Sequence, residues 1–396
     1  MNILFSCAGR RAYLLKYFRA ALDEIGGGKI FATDMSPFAP ALAFADVALR
    51  VPSVYAGNYL DELEKICREN AIDALFSLND LELPILASAR ERFAAAGTRL
   101  VVSAPKVIEI CFDKMKTARF VESLGLNSPK TFTNLDEALA MLNRGALAFP
   151  LILKPRWGSG SIGIEIVRSQ EELVETFAFV RRKIARSILA KASADADEIL
   201  IQEAILDAEY GLDVMNDLQG NHIAVSVKRK LAMRAGETDK AITVNSPELR
   251  EIGHRLGNAL RHVANLDCDI LERGGKFYVL EMNPRFGGGY PFSQEAGVNL
   301  PLAILKWLRG DAVSADLLTE TPNVAFAKCD ILVNTPPQIR GNEVRFCEAC
   351  GLSAVRVSGV PAGTAAASFL HENLRVSRGG NLVAFAAGAP AERSAA

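Results

Sequence analysis

The sequence predicts an α/β protein of two or three domains, and three observations carry that expectation. Strand-helix units repeat through residues 2–103, which implies a parallel sheet. From residue 108 the pattern changes to strands joined by glycine-rich loops and hairpins. Beyond about residue 320, short strands separated by Gly and Pro lead into an Ala-rich tail that is expected to be disordered. The chain has 396 residues, 49% of them hydrophobic, which leaves ample material for several buried cores.

The first domain, about 1–108, reads as Rossmann-like. Strands are expected at 2–6, 30–33, 74–78 and 99–103, and helices at 13–24, 59–69 and 82–96. Loops 6–11, 34–37 and 79–82 then lie at the carboxyl ends of strands, where open α/β sheets bind ligands. The first loop, Cys7-Ala8-Gly9-Arg10-Arg11, lacks the GxGxxG fingerprint, which argues against NAD. Asp34 and Asp80 read first as caps or turn formers, with substrate contact as the alternative.

Asp113-Lys114 opens a helix that stops at Gly125, and another helix covers 136–143. A strand carrying Lys154 then meets Gly158, Ser159, Gly160, Ser161 and Gly163, and 164–167 alternates like a second strand. Strand, glycine loop, strand describes a flap able to lie over phosphates, with Lys154 as a point charge; a plain glycine hairpin is the alternative. A helix is expected at 171–186, and a strand at 199–202 ends at Glu203, ahead of Glu209 and Asp213. Lys228 sits on a strand over 223–231, and a helix covers 247–263. His254 and His262 lack an evident orienting partner and read as helix-face residues.

The most informative stretch is 279–289, Val-Leu-Glu-Met-Asn-Pro-Arg-Phe-Gly-Gly-Gly. Gly274-Gly275 predicts a hairpin joining 268–271 to a strand at 276–281. Glu281 and Asn283 share one face of that strand, and their hard oxygens suit magnesium together with substrate phosphates. Asp269 on the other arm offers a third ligand, and Arg285 presents a five-donor fork for phosphate or carboxylate. Gly287, Gly288 and Gly289 let a ligand approach the backbone closely. Taken alone, the stretch also fits an acidic strand end, a capping Asn and a turn.

A formal net charge of −1 argues against a general nucleic-acid binder, and Arg181-Arg182-Lys183 reads as a solvated helix face. Seven scattered cysteines point to a reducing cytoplasm, and Cys347 with Cys350 lacks the further ligands of a structural zinc. No apolar run approaches the roughly 18–20 residues of a membrane span, so a soluble protein is expected. A GxxxxGK[ST] loop is absent, which excludes a P-loop ATPase of the usual form.

In order, Asp113-Lys114, Lys154 with Gly158-Ser-Gly-Ser-Ile-Gly163, Glu203 with Glu209, Asp269 and Glu281-Met-Asn283-Pro-Arg285 resemble the ATP-grasp superfamily. The resemblance covers about 1–312 and is nearest to the stand-alone branch that looks like one half of the carbamoyl-phosphate synthase large chain. It implies a Rossmann-like pre-ATP-grasp domain at 1–108, a two-lobed α+β ATP-grasp domain at 109–312 with a mobile lid at roughly 115–195, and a small β-rich segment at 313–396. It further implies that Lys114 and Lys154 contact ATP phosphates under a flap of 158–163. Glu203 with the backbone of Ala204 and Ile205 would hold adenine, and Glu209 the ribose. Asp269, Glu281 and Asn283 would bind Mg2+, and Arg285 would meet the transferred phosphoryl group or a carboxylate. Lys228, Arg234, Glu237 and Gly287–Gly289 fall where the family binds acceptor or γ-phosphate.

The implied chemistry is attack of a carboxylate on ATP to give an acyl phosphate, captured by an amine, with an amino acid as the expected donor or acceptor. Partners are then small-molecule carboxylates and amines, with a homodimer as a candidate assembly. Two alternatives stand beside it: a carbamoyl-phosphate synthase-like subunit phosphorylating bicarbonate or carbamate, and a nucleotide-binding regulator without turnover. The segment from about 313 matches no family pattern.

Overall fold

Repeated strand-helix units at the start of the chain fold into the expected parallel sheet. The computed structural model describes residues 1–158, 163–186 and 199–335, and beyond them the backbone of five short strands. Strands β1 (Asn2–Ser6), β2 (Lys29–Asp34), β3 (Val47–Arg50), β4 (Ala74–Ser77) and β5 (Arg99–Leu100) pair in the order β3-β2-β1-β4-β5. The order reverses between β1 and β4, so the loops after these strands flank a crevice, the usual ligand edge of such sheets. The pattern did not reveal β3, which is only four residues long. The helix expected at 82–96 is two helices, Leu83–Ser88 and Arg90–Ala95, parted at Ala89 where φ is −100° and ψ 9°.

A four-stranded antiparallel sheet follows, built from β6 (Thr131–Phe132), β7 (Leu151–Pro155), β8 (Glu165–Val167) and β9 (Ile199–Glu203) in the order β6-β9-β7-β8. Leu151 pairs with Val167 across β7 and β8, so the glycine loop does join two strands. Helices Leu135–Asn143 and Gln170–Ala185 supply Ala138, Leu173, Val180 and Ile184 to the core of this unit.

The larger sheet contains β10 (Ala208–Asn216), β11 (His222–Arg234), β12 (Glu237–Thr243), β13 (Ala264–Arg273), β14 (Lys276–Asn283) and β15 (Ala325–Ala327), in the order β14-β13-β10-β11-β12-β15. Helix Pro247–Leu260 packs on it through Leu249, Ile252, Leu256 and Leu260, a helical repeat of three and four. Phe18 and Leu22 of the first domain share one core with Phe286, Tyr290, Leu300 and Leu302–Leu305. That shared core turns the crevice of the first sheet toward the carboxyl end of β14. Past residue 335, strands Pro337–Arg340, Glu343–Phe346 and Ala354–Val357 join the sheet at β3, and Leu374–Val376 pairs with Leu382–Ala384. The expected tail and the Cys347/Cys350 pair lie outside the described residues.

Candidate active site

The β13–β14 hairpin builds one wall of the site. Its turn, Gly274-Gly275, has φ of 58° and 74°, the left-handed values that favour glycine. Pairing sets Asp269 opposite Glu281 and Asp267 opposite Asn283, so two carboxylates and further oxygens face the same space. Asn283 Nδ2 lies 3.4 Å from Glu281 Oε1. Asp113 caps the helix Lys114–Ser123, accepting from the Met115 and Lys116 N–H groups, and also takes two hydrogen bonds of 2.9 and 2.8 Å from Arg156. This anchors Lys114, whose Nζ sits 3.9 Å from Glu281 Oε2 and donates to the Gly158 carbonyl.

Lys154 is 4% exposed, and no described residue accepts a hydrogen bond from its ammonium. Burial and then Lys114 push it down to about 8, against the pull of Glu281 and Asp269. Burial pushes Glu281 up, but Lys114, Lys154 and the Asn283 amide outweigh it and hold the group below the usual carboxylate range. Asp269 goes the other way: burial raises it to about 7, with Asp267, Glu281 and Glu209 adding and Lys230 opposing.

A cavity of about 270 Å³ opens beside this wall, lined among others by Arg11, Asp80, Lys230, Glu237, Asp269 and Arg285. Arg285 is clamped by Asp80 at 3.0 and 2.8 Å and by Asp267 at 2.8 Å. Lys230 Nζ bridges Glu209 and Asp269, 2.6 Å from each. Lys228 also lines the cavity, but its ammonium is fully buried against Asp213 and 3.0 Å from Ser293 Oγ. The glycine run is explained by close packing: a Cβ on Gly287 would lie 2.1 Å from Asp267, one on Gly288 2.9 Å from Glu237, and one on Gly289 2.9 Å from Lys228. These glycines therefore admit charged side chains into the wall.

Several other residues singled out in the sequence stand apart from the cavity. Arg234 is exposed and pairs with Asp239 at 2.9 Å and with Asp330. Glu203 is held by Arg273 at 2.7 Å, the Ala204 N–H donates to the Pro150 carbonyl at 3.3 Å, and Ile205 is buried. Ser159, Gly160 and Ser161 lie outside the described residues; Gly163, with φ of 72°, closes the loop beside Pro155. His254 is exposed, whereas His262 is fully buried with Nε2 2.9 Å from the Val214 carbonyl, and burial pushes it down to about 3. Asp34 accepts from the Gly9 and Ser36 N–H groups, a turn role, while Asp80 reaches Arg285. Sequence reasoning passed over Asp267 and Lys230, although each stands two residues from a residue it did select, on the same strand face.

Residues 147–291 match the model of the ATP-grasp domain. The chain carries an ATP-grasp domain. Residues 3–101 match the PylC-like N-terminal domain model, so the ATP-grasp region follows a recognised first domain. Among curated relatives, the carbamoyl phosphate synthase large chain of Gemmatimonas aurantiaca is 23% identical over 234 residues, which is 56% of this chain and 20% of that one. The chain thus spans about a fifth of the length of that relative. Among solved structures, the biotin carboxylase domain of Hydrogenobacter thermophilus 2-oxoglutarate carboxylase, in complex with MgADP, ADP and bicarbonate, superposes with a TM-score of 0.64 at 19% identity. The match covers 79% of this chain and 70% of that one. L-amino acid ligase from Bacillus licheniformis gives 0.63 at 20% identity, covering 84% and 81%. Among the described residues, no helix is long and apolar enough to cross a membrane.

Proposed function

We propose that the protein is an ATP- and Mg2+-dependent carboxylate–amine ligase that activates a small carboxylate as an acyl phosphate, releases ADP and passes the acyl group to an amine. An amino acid is the expected donor or acceptor. The observation that carries this reading is Lys154, a side chain only 4% exposed that has no hydrogen-bond acceptor among described residues and feels Lys114 beside it and the Asp269–Glu281 pair opposite. A cation largely withdrawn from water without a hydrogen-bond acceptor is costly, and phosphate oxygens would supply the missing partner. The donor set also fits magnesium: two carboxylates on facing strands and the Asn283 amide leave positions for phosphate oxygens and water. Crowded charge around Asp269 is what a divalent ion would relieve. When bound, the ion would neutralise charge developing on the phosphates.

The chain's own work is then positioning and charge compensation, which phosphoryl transfer chiefly needs. Lys114 and Lys154 would hold phosphate oxygens, and Arg285, fixed in orientation by Asp80 and Asp267, would present its face to the reacting carboxylate. The test is ADP release with Mg·ATP against pooled amino acids and, separately, bicarbonate alone, with hydroxylamine as a trap. Hydroxamate that depends on one pool supports the reading. ADP formed with bicarbonate alone would favour the carbamoyl-phosphate-type reaction named for the curated relatives, and ATP binding without any turnover would sink the ligase reading.

A further inference from the structure

Arg11, from the loop after β1, and Lys328, just past β15, converge on one side chain from opposite sides. Arg11 Nη2 lies 3.4 Å from Glu237 Oε1, and Lys328 Nζ lies 3.4 Å from Glu237 Oε2. Two cations therefore share a single carboxylate, and both contacts are longer than the 2.6–2.8 Å pairs of Lys230 and Arg285 in the same cavity. Both cations are held in place independently of Glu237. Arg11 donates to Tyr13 Oη at 2.8 Å, and that hydroxyl in turn donates to the Gly287 carbonyl at 3.3 Å. Lys328 lies over the rings of Tyr13 and Phe292, 6.0 and 5.8 Å from their centroids. Glu237, by contrast, has a side chain 46% exposed.

We propose that Arg11 and Lys328 form a binding subsite for a second, non-reacting carboxylate of the substrate, a place that Glu237 fills until the substrate arrives. The inference rests on the ligase reading above and names the substrate class: a compound with a free carboxylate besides its reacting group, an amino acid or a dicarboxylic acid. Position decides that this carboxylate is not the one activated. Asp269 and Glu281 belong to β13 and β14, and Arg285, which would face the reacting carboxylate, is held by Asp80 and Asp267, whereas Arg11 and Lys328 meet on Glu237 at the start of β12, four places from β14 in the sheet. Charge decides that the group is an anion, because removing Glu237 from its place leaves two fixed cations without the carboxylate that pairs them, Asp239 reaching Lys328 only at longer range. Arg11 and Lys328 also hold Glu237 below the usual carboxylate range against burial, so it stays charged and exchangeable with another carboxylate at neutral pH. Arg11 and Glu237 line the cavity of about 270 Å³ together with Asp269, Glu281 and Asn283, so a molecule whose second carboxylate replaced Glu237 would share one space with the phosphate-facing wall.

The experiment uses the full chain saturated with Mg·ADP and reads thermal denaturation against each common L-amino acid and each dicarboxylate from malonate to adipate. At least one compound is expected to raise the melting temperature, its carboxamide to do so only at roughly tenfold or higher concentration, and Arg11→Ala and Lys328→Ala to abolish the response while Mg·ADP still stabilises both variants. Glu237→Gln keeps the two cations and removes the competing charge, so it is expected to lower the half-maximal concentration several-fold, roughly three- to tenfold. A response unchanged in Arg11→Ala and Lys328→Ala overturns the subsite. So does the absence of any carboxylate response while Mg·ADP still stabilises the protein, which leaves nucleotide binding standing. Failure of Mg·ADP itself to stabilise the wild-type chain would remove the ligase reading and the subsite with it.

Discussion

At the β13–β14 wall beside the cavity the acids come from one hairpin and meet two lysines, whereas on the first-domain side Arg11, Asp80 and Lys328 arrive from three separate segments. The ends also differ in how their charges are met. Lys154 has no acceptor among described residues, while Arg285 is gripped by two carboxylates and Glu237 by two cations. A buried charge left unmatched belongs where a ligand will supply the partner, and charges matched internally belong where geometry or exchange matters. On the proposed function, the hairpin wall would be the nucleotide half of the site and the first-domain end the substrate half.

The largest expected effect breaks the nucleotide half alone. Lys154→Met keeps the side chain's bulk and is expected to lower turnover by roughly 10²–10³-fold, with Glu281→Ala comparable, while circular dichroism stays native. Unaltered steady-state kinetics in either variant would mean that the phosphates bind elsewhere. Next comes the joint between the halves. Asp80→Asn leaves Arg285 with Asp267 but loosens its fork, so turnover is expected to fall roughly 10–100-fold with little change in nucleotide affinity. Equal loss of ATP binding would blur the division between the two ends. Gly287→Ala forces a methyl group onto Asp267, and chemical denaturation should show about 1–3 kcal/mol of lost stability.

A pH series sharpens the same contrast. Because burial and Lys114 bring Lys154 down to about 8, it is charged below pH 8 and loses its proton above. Bound phosphate would favour the charged form, so Mg·ATP affinity is expected to fall by up to roughly tenfold per pH unit above 8, a slope that Lys154→Met removes. For stability without nucleotide the sign reverses. The unfolded lysine keeps its proton up to the ordinary 10.5, the folded one does not, and Lys154 therefore makes stability rise with pH between about 8 and 10.5. Smallest of all, Arg234→Ala is expected to leave kcat and KM unchanged, since its guanidinium is exposed and paired outside the cavity.

The two halves were unequally legible in the sequence for the same physical reason. The hairpin end is local: a Gly-Gly turn, side chains alternating on one face and the Glu-Met-Asn-Pro-Arg run place Asp269, Glu281 and Asn283 without knowledge of the tertiary fold. Strand, glycine loop and strand were likewise readable from 151–167. The Asp80–Arg285 pair spans 205 residues, and no periodicity links its members; their meeting depends on the core in which Phe18 packs with Phe286 and Tyr290. Asp80 itself follows a strand end in a loop, where a turn former looks the same as a partner for a distant arginine. Lys328 carries no local signal at all, because β15 is three residues long.

The most direct test of this division is a calorimetric titration of Mg·ATP into the wild-type chain and into Lys154→Met at pH 7. The account predicts saturable binding to the wild type and a dissociation constant raised at least roughly tenfold in the variant, as loss of a charge-assisted phosphate contact requires. Equal affinity in the two proteins would contradict it, since the buried lysine would then have no phosphate to meet.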